Sequence, residues 1–361
     1  METTQAYTFS DVLIKPKYSD IESRKEVNIA SCFTTIESKF SFKLSLPVIS
    51  TPMKTITGSK MAIEMRENGG LGILYRFCSV NEAVEEFSIV MSHKKLYQDA
   101  QNAEDVNMCG VSIGVQEEDK ERFDRLYECG ARIFCIDIAN GYCKKMQEMI
   151  EWIQAKNLWI DGYNLKRVHI IAGNVATSEG ARFLADLGVD SIRCGIGPGR
   201  ACMTRRNTGV GVPALYALQT IYEELEHANP RSRIIADGGI KYVGDITKAL
   251  KYSDAVMVGS FIAGTSETPG NVFKDENGQF YKVYMGSASG ENKTSSGKAN
   301  EFVEGIAMKV PFKGHVKHIL REVNDGIKSA FSYTNSRTLE EFHKNCEFIE
   351  ITNGGKEESK I

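Results

Sequence analysis

Residues 168–212 read VHIIAGNVATSEGARFLADLGVDSIRCGIGPGRACMTRRNTGVGV and hold one strand, one helix, a second strand and a glycine-rich loop. VHIIAGN (168–174) is a short apolar run of the kind that a parallel strand buried on both faces requires. TSEGARFLADL then carries apolar residues at helical spacing, opens on a threonine and stops before Gly188, so its start and stop signals agree with its periodicity. The extended apolar pattern returns at VDSIRC (189–194). Gly195, Gly197 and Gly199 follow within five residues, which lets the backbone take positive φ and approach a bound group without Cβ interference. Behind them stands a single cysteine, Cys202.

The same alternation extends in both directions. Further apolar runs occur at LPVIS (46–50), LGILY (71–75), CGVSIGV (109–115), ARIFCID (131–137), SRIIAD (232–237) and DAVMVG (254–259), which makes eight in all. Amphipathic stretches such as SKMAIEMREN, EDKERFDRLYEC, PALYALQTIYEELE and VGDITKAL lie between them. The spacing is regular and no GxGxxG follows the first strand, so the pattern predicts an α/β fold with a single (β/α)8 TIM barrel rather than a doubly wound sheet. The barrel is expected over residues 1–350, with a disordered polar tail over 351–361.

Composition bounds the function. The 361 residues include 25% charged and 42% hydrophobic side chains, ordinary values for a soluble protein. A net charge of −3 without a long basic run argues against a nucleic-acid partner. No charged-then-apolar leader opens the chain and no run approaches the roughly 18 apolar residues of a membrane span, so a cytoplasmic protein with no membrane partner is expected. The nine cysteines are dispersed without a CxxC pair, which predicts reduced thiols rather than a disulfide framework or a structural zinc site.

In a barrel of this kind the chemistry sits where the strands end. The residues there are Ser50 to Met53, Arg76, Asp137 with Asn140 and Gly141, Gly173 with Asn174, the Cys202 loop, Asp237 to Gly239, and Gly259 with Ser260. Glycine-bounded groups after the last two strands match a phosphate site, where backbone N–H groups receive the anion. None of the six histidines falls at these strand ends, so activation of Cys202 is expected from loop N–H groups and from cations such as Arg200 or Arg205. His315 and His318 lack a recognisable third ligand, which speaks against a catalytic metal.

CGIGPGRACMTR, IIAGNVAT, FCIDIANGY, IADGGI and VMVGSFIAGTSETPG together resemble the IMP dehydrogenase and GMP reductase family, and the likeness runs from TFSDVLIKPKYSDIESRKEV (8–27) to VPFKGHV (310–316). The resemblance implies a cysteine nucleophile that attacks C2 of a purine nucleotide and a nicotinamide cofactor that exchanges hydride with the adduct. Three departures point to the reductase branch. About 33 residues separate LGILY from CGVSIGV, too few for inserted CBS modules. The mobile flap expected around 286–310, ASGENKTSSGKANEFVEGI in its central part, holds no Arg-Tyr pair of the kind that activates water in dehydrogenases. IDIANGY, GPGRAC and YMGSAS resemble the reductase forms, whereas dehydrogenases commonly show GPGSIC and YRGMGS.

For this branch the resemblance implies NADPH-dependent conversion of GMP to IMP and ammonia, with Cys202 as nucleophile and Thr204 with Glu304 as the proton-transfer pair. Asp237 matches the ribose carboxylate, while Gly238, Gly239, Gly259, Ser260 and Tyr284 match the phosphate site. The resemblance further implies that Met53, Met285, Gly286 and Ser287 border the purine, with Ser50 among the nucleotide contacts. Arg200 stands where most relatives have serine, and its guanidinium can grip phosphate bidentately. Arg76, Asp137, Asn140 and Gly141 match the cofactor side, and Lys54 replaces an aspartate common in relatives. Carbonyls of Gly197, Gly199 and Cys202 match a site for a monovalent cation, K+ being the expected ion. A homotetramer is usual for the family. An IMP dehydrogenase acting with NAD and a nucleotide binder without turnover are the alternative readings.

Overall fold

All eight apolar runs become strands of one closed parallel barrel in the computed structural model, which describes residues 4–34, 41–93, 109–156, 168–226, 232–286 and 306–359. In chain order the strands are Val48–Ser50, Leu71–Leu74, Cys109–Ile113, Ile133–Asp137, His169–Val175, Ser191–Cys194, Arg233–Asp237 and Ala255–Val258. Each pairs in parallel with its neighbours in sequence, and the eighth closes on the first with Val256 opposite Val48. The helix after the fifth strand shows how local signals place these elements. Ser178–Asp186 is capped by Thr177, whose Oγ1 accepts the Gly180 N–H at 3.2 Å, and it buries Ala181 and Leu184 against the barrel. Gly188, with φ of 71°, then turns the chain into the sixth strand. One helix, Val80–Met91, is described between the second and third strands. After the eighth strand a long helix, Val316–Tyr333, packs on Val243–Ala249 and Ser59–Glu67 beside the closing seam.

Two features lie outside the eight-run pattern. A hairpin of Ser31–Thr34 and Ser41–Leu44 precedes the first strand and plugs the barrel floor. Phe33, Phe42 and Leu44 join Ile49, Ile73, Ile133, Ile171, Ile235 and Met257 in one buried cluster. The two phenyl rings stack at 4.9 Å, and the His169 imidazole meets both edge-on. The second feature is a three-stranded antiparallel sheet, Phe273–Lys274, Phe280–Met285 and Ala307–Pro311, between the last barrel strand and the last long helix.

Two expectations about boundaries change. Of the flap expected around 286–310, residues 307–310 belong to the strand Ala307–Pro311, because its backbone pairs with Phe280–Met285; residues 287–305 lie outside the described residues. The polar tail expected to be disordered contains a helix, Asn353–Glu358, because Thr352 caps it and Lys356 binds Asp11 at 2.5 Å. Among the described residues no helix is long and apolar enough to cross a membrane. No disulfide joins the nine cysteines.

Candidate active site

The loop after the sixth strand is pressed against the end of the seventh. Gly195 has φ of +148°, and a Cβ built there would lie 2.0 Å from the Asp237 carbonyl oxygen, so only glycine fits. The Cys202 N–H donates to the Gly199 carbonyl at 3.0 Å, closing the turn that presents the thiol. The thiol in turn donates to Thr204 Oγ1 at 3.1 Å. Arg205 takes a different place from the one expected. Its side chain packs between Gly197 and Gly211 and its Nη2 donates to the Val212 carbonyl, so it ties the two ends of the loop together. Burial pushes the Cys109 and Cys194 thiols up and the Cys135 thiol up to about 12, which disqualifies them as nucleophiles. Cys202 is partly accessible and lines the large cavity at the barrel mouth.

Beneath that cavity lies a buried charge cluster centred on Arg193. Its Nη1 donates to Asp137 Oδ1 at 2.5 Å, and its Nε donates to Asp237 Oδ2 at 3.0 Å. Asn174 Nδ2 reaches the same Asp237 oxygen at 2.7 Å and also the Gly195 carbonyl at 2.7 Å. Arg76 Nε donates to the Asp137 backbone carbonyl at 3.1 Å. Burial alone would lower the Arg193 guanidinium, but Asp237 and Asp137 outweigh it and hold it well above its ordinary value. Arg193 therefore stays charged and fixes carboxylates from the fourth and seventh strands relative to one another.

The cavity has a volume of about 1690 Å³ and runs across the whole mouth. Its wall includes Cys202, Thr204, Gly197, Gly199, Arg200, Asp237, Gly238, Gly239, Gly259, Ser260, Tyr284, Gly286 and Met53, together with Arg76 and Asp137 towards the opposite end. Tyr284 is buried, its hydroxyl lies 3.7 Å from Met53 Sδ, and burial with the Asp237 charge raises its pKa, so it remains a protonated donor. Four expected contacts face elsewhere. Ser50 is fully buried and accepts the Thr57 hydroxyl at 2.9 Å, because its side chain turns from the cavity into the packing behind the first strand. Met285, whose N–H donates to Thr55 Oγ1 at 3.1 Å, does not line the cavity. The Asn140 side chain accepts the Tyr142 N–H at 3.2 Å, and Gly141 donates to the Asn174 carbonyl at 2.7 Å, so both shape a loop outside the cavity wall. Ser287 and Glu304 lie outside the described residues.

Arg193 and Lys313 are among the wall residues that escaped the sequence analysis. Arg193 carried a signal, a charge inside an otherwise buried four-residue strand. Lys313 carried none, since nothing in PFKGHV distinguishes it from a surface lysine. The assembled site can offer a thiol with an adjacent hydroxyl, a rigid carboxylate at Asp237 and a glycine-lined cradle for an anion. Among the described residues no group of three His, Cys, Asp or Glu side chains could hold a metal ion.

Comparison with known proteins agrees with this geometry. The family model described as IMP dehydrogenase / GMP reductase domain matches residues 6–361. GMP reductase of Lactobacillus delbrueckii is 32% identical over 97% of this chain and 96% of its own length. Inosine-5′-monophosphate dehydrogenase of Borreliella burgdorferi is 30% identical over 99% of this chain and 96% of its own length. A crystal structure of GMP reductase from Trypanosoma brucei in complex with guanosine 5′-monophosphate superposes with a TM-score of 0.87 at 26% identity, covering 100% of this chain and 98% of the other.

Proposed function

The chain belongs to the IMP dehydrogenase / GMP reductase family, and within it we propose that it is a GMP reductase, converting GMP and NADPH to IMP, ammonia and NADP+. The observation that carries the reading is the Cys202 thiol, 3.1 Å from the Thr204 hydroxyl in the cavity that also holds Asp237 and the glycine cradle. The reductase forms of GPGRAC and YMGSAS and a flap sequence without an Arg-Tyr pair favour this branch over the dehydrogenase.

In the proposed reaction Cys202 Sγ attacks C2 of the guanine ring and forms a C–S bond. The C2 amino group takes a proton and leaves as ammonia, with Thr204 Oγ1 relaying protons between the sulfur side and the flap carboxylate, assigned to Glu304. When bound, NADPH would supply the hydride for C2; cleavage of the C–S bond then restores Cys202. Asp237, held by Arg193 and Asn174, accepts the ribose hydroxyls, and Gly238, Gly239, Gly259, Ser260 and Tyr284 hold the phosphate. Arg76, which lies over the Phe77 ring at 4.4 Å beside Asp137, would hold the cofactor at the other end of the cavity. Gly197, Gly199 and Cys202 are assigned to a K+ ion through their carbonyls.

The test follows reduced nicotinamide absorbance with GMP plus NADPH beside IMP plus NAD. Loss of signal in the first mixture alone supports the proposal. Gain in the second alone identifies a dehydrogenase, and silence in both overturns the enzymatic reading.

A further inference from the structure

The phosphate end of the cavity carries cations that its glycine cradle does not need. Lys313 is tied twice to the turn that opens with Gly259 and Ser260. Its N–H donates to the Gly264 carbonyl at 2.9 Å and its Nζ donates to the Phe261 carbonyl at 2.8 Å. The residues on either side are pinned as well, Phe312 by the Phe280 carbonyl at 2.9 Å and Gly314 by the Ser266 N–H at 2.8 Å. From the opposite side Pro198 and Gly199 lie against Gly238, where a Cβ would meet Pro198 Cγ at 2.9 Å and Gly199 N at 3.3 Å. That close approach sets Arg200, the next residue, in the cavity wall beside the cradle. Among the described residues neither Arg200 nor Lys313 forms an ion pair with a carboxylate. Both residues are exposed, yet partial desolvation and the Arg200 guanidinium hold the Lys313 ammonium below the usual lysine range, so the two cations sense each other.

We propose that Lys313 and Arg200 form a cation pair that grips the nucleotide 5′-phosphate as its dianion, so that a phosphomonoester supplies a counter-ion that no described carboxylate provides. The inference rests on the nucleotide reading of this site and adds Lys313 to it. Two like charges side by side repel without ligand and become favourable once an anion sits between them. The pair therefore strengthens nucleotide binding at the expense of the unliganded protein.

The test uses Lys313→Met and Arg200→Ser in the full chain, with GMP, IMP, guanosine and inorganic phosphate as probes. Each variant weakens GMP and IMP binding about tenfold or more, the loss of one charge-assisted contact, and leaves guanosine binding unchanged. Inorganic phosphate raises the melting temperature of the parent protein more than that of either variant. The unliganded melting temperature of Arg200→Ser, which breaks no hydrogen bond among the described residues, does not fall. Unchanged GMP and phosphate binding in both variants, or equal loss for GMP and guanosine, overturns the proposal. A parent protein that ignores GMP and IMP yet shows phosphate protection dependent on both cations refutes the enzymatic reading and leaves the pair standing.

Discussion

Cys202 differs from the other cysteines by its surroundings rather than its chemistry. Three of those on the barrel strands are buried and their thiols are pushed up, whereas Cys202 is presented into the cavity by a turn that only Gly195 permits. Cys202→Ala is expected to abolish turnover while GMP still binds, as read by calorimetry beside the absorbance assay; retained turnover would remove it as the nucleophile. Arg193 makes a second prediction at this scale. Arg193→Met removes the cation shared by the buried Asp137 and the half-buried Asp237, leaving Asp137 only the longer Arg76 contact at 3.8 Å, and should cost about 3 kcal/mol in denaturant unfolding. Arg193→Lys keeps the charge but loses the fork that reaches both carboxylates, so it should fold better than the Met variant and still raise the KM for nucleotide. Equal stability of the two variants would show that charge is not what Arg193 contributes. Arg193 was legible only as an anomaly, because a sequence shows that a buried strand contains a charge but not which carboxylates meet it.

At the scale of elements, the barrel strands were legible because burial on both faces leaves an uninterrupted apolar run, and the helices because their caps agree with their periodicity. The floor hairpin was not, since SCFT and SFKL are too short to stand out from loop sequence. Its importance comes from where Phe33 and Phe42 land. Phe42→Ala is expected to destabilise the protein by about 3–5 kcal/mol, and a loss below about 1 kcal/mol would show that the hairpin only covers the floor. The tail helix makes a weaker, pH-dependent contribution. Burial would raise the Asp11 carboxyl, but Lys356 at 2.5 Å and the Thr8 N–H at 2.7 Å outweigh it and hold it below the usual carboxylate range. A depressed carboxyl stabilises the fold above its unfolded value, and that stability is lost as pH falls through the folded value. Asp11→Asn should therefore be less stable than the parent near neutral pH, by under about 1 kcal/mol for so exposed a pair, and match it once the Asp11 carboxyl is protonated in both the folded and the unfolded chain. A gap that persisted at acid pH would assign the effect to packing.

Across the whole molecule, the two ends of one cavity, assigned to nucleotide and cofactor in the proposed reaction, are joined through Arg193, which touches a carboxylate on each side. A ligand that binds only the folded barrel must stabilise it by mass action, about 2.7 kcal/mol at a hundred times its Kd. GMP is thus expected to raise the melting temperature more than an adenine nucleotide, which offers the site its phosphate but not its base contacts; equal shifts would mean that the site reads only phosphate. Periodicity, caps and glycine punctuation were enough to specify eight strands, their order and the loop that carries Cys202, because these depend on residues near one another in the chain. The pairing of Asp137 with Asp237 through Arg193, the anchoring of Lys313 on the Phe261 carbonyl and the turning of Ser50 and Asn140 out of the cavity were decided only by the tertiary structure. Closure brings together groups far apart in sequence, and which of them meet is set by strand register and side-chain direction, quantities that composition and spacing do not encode.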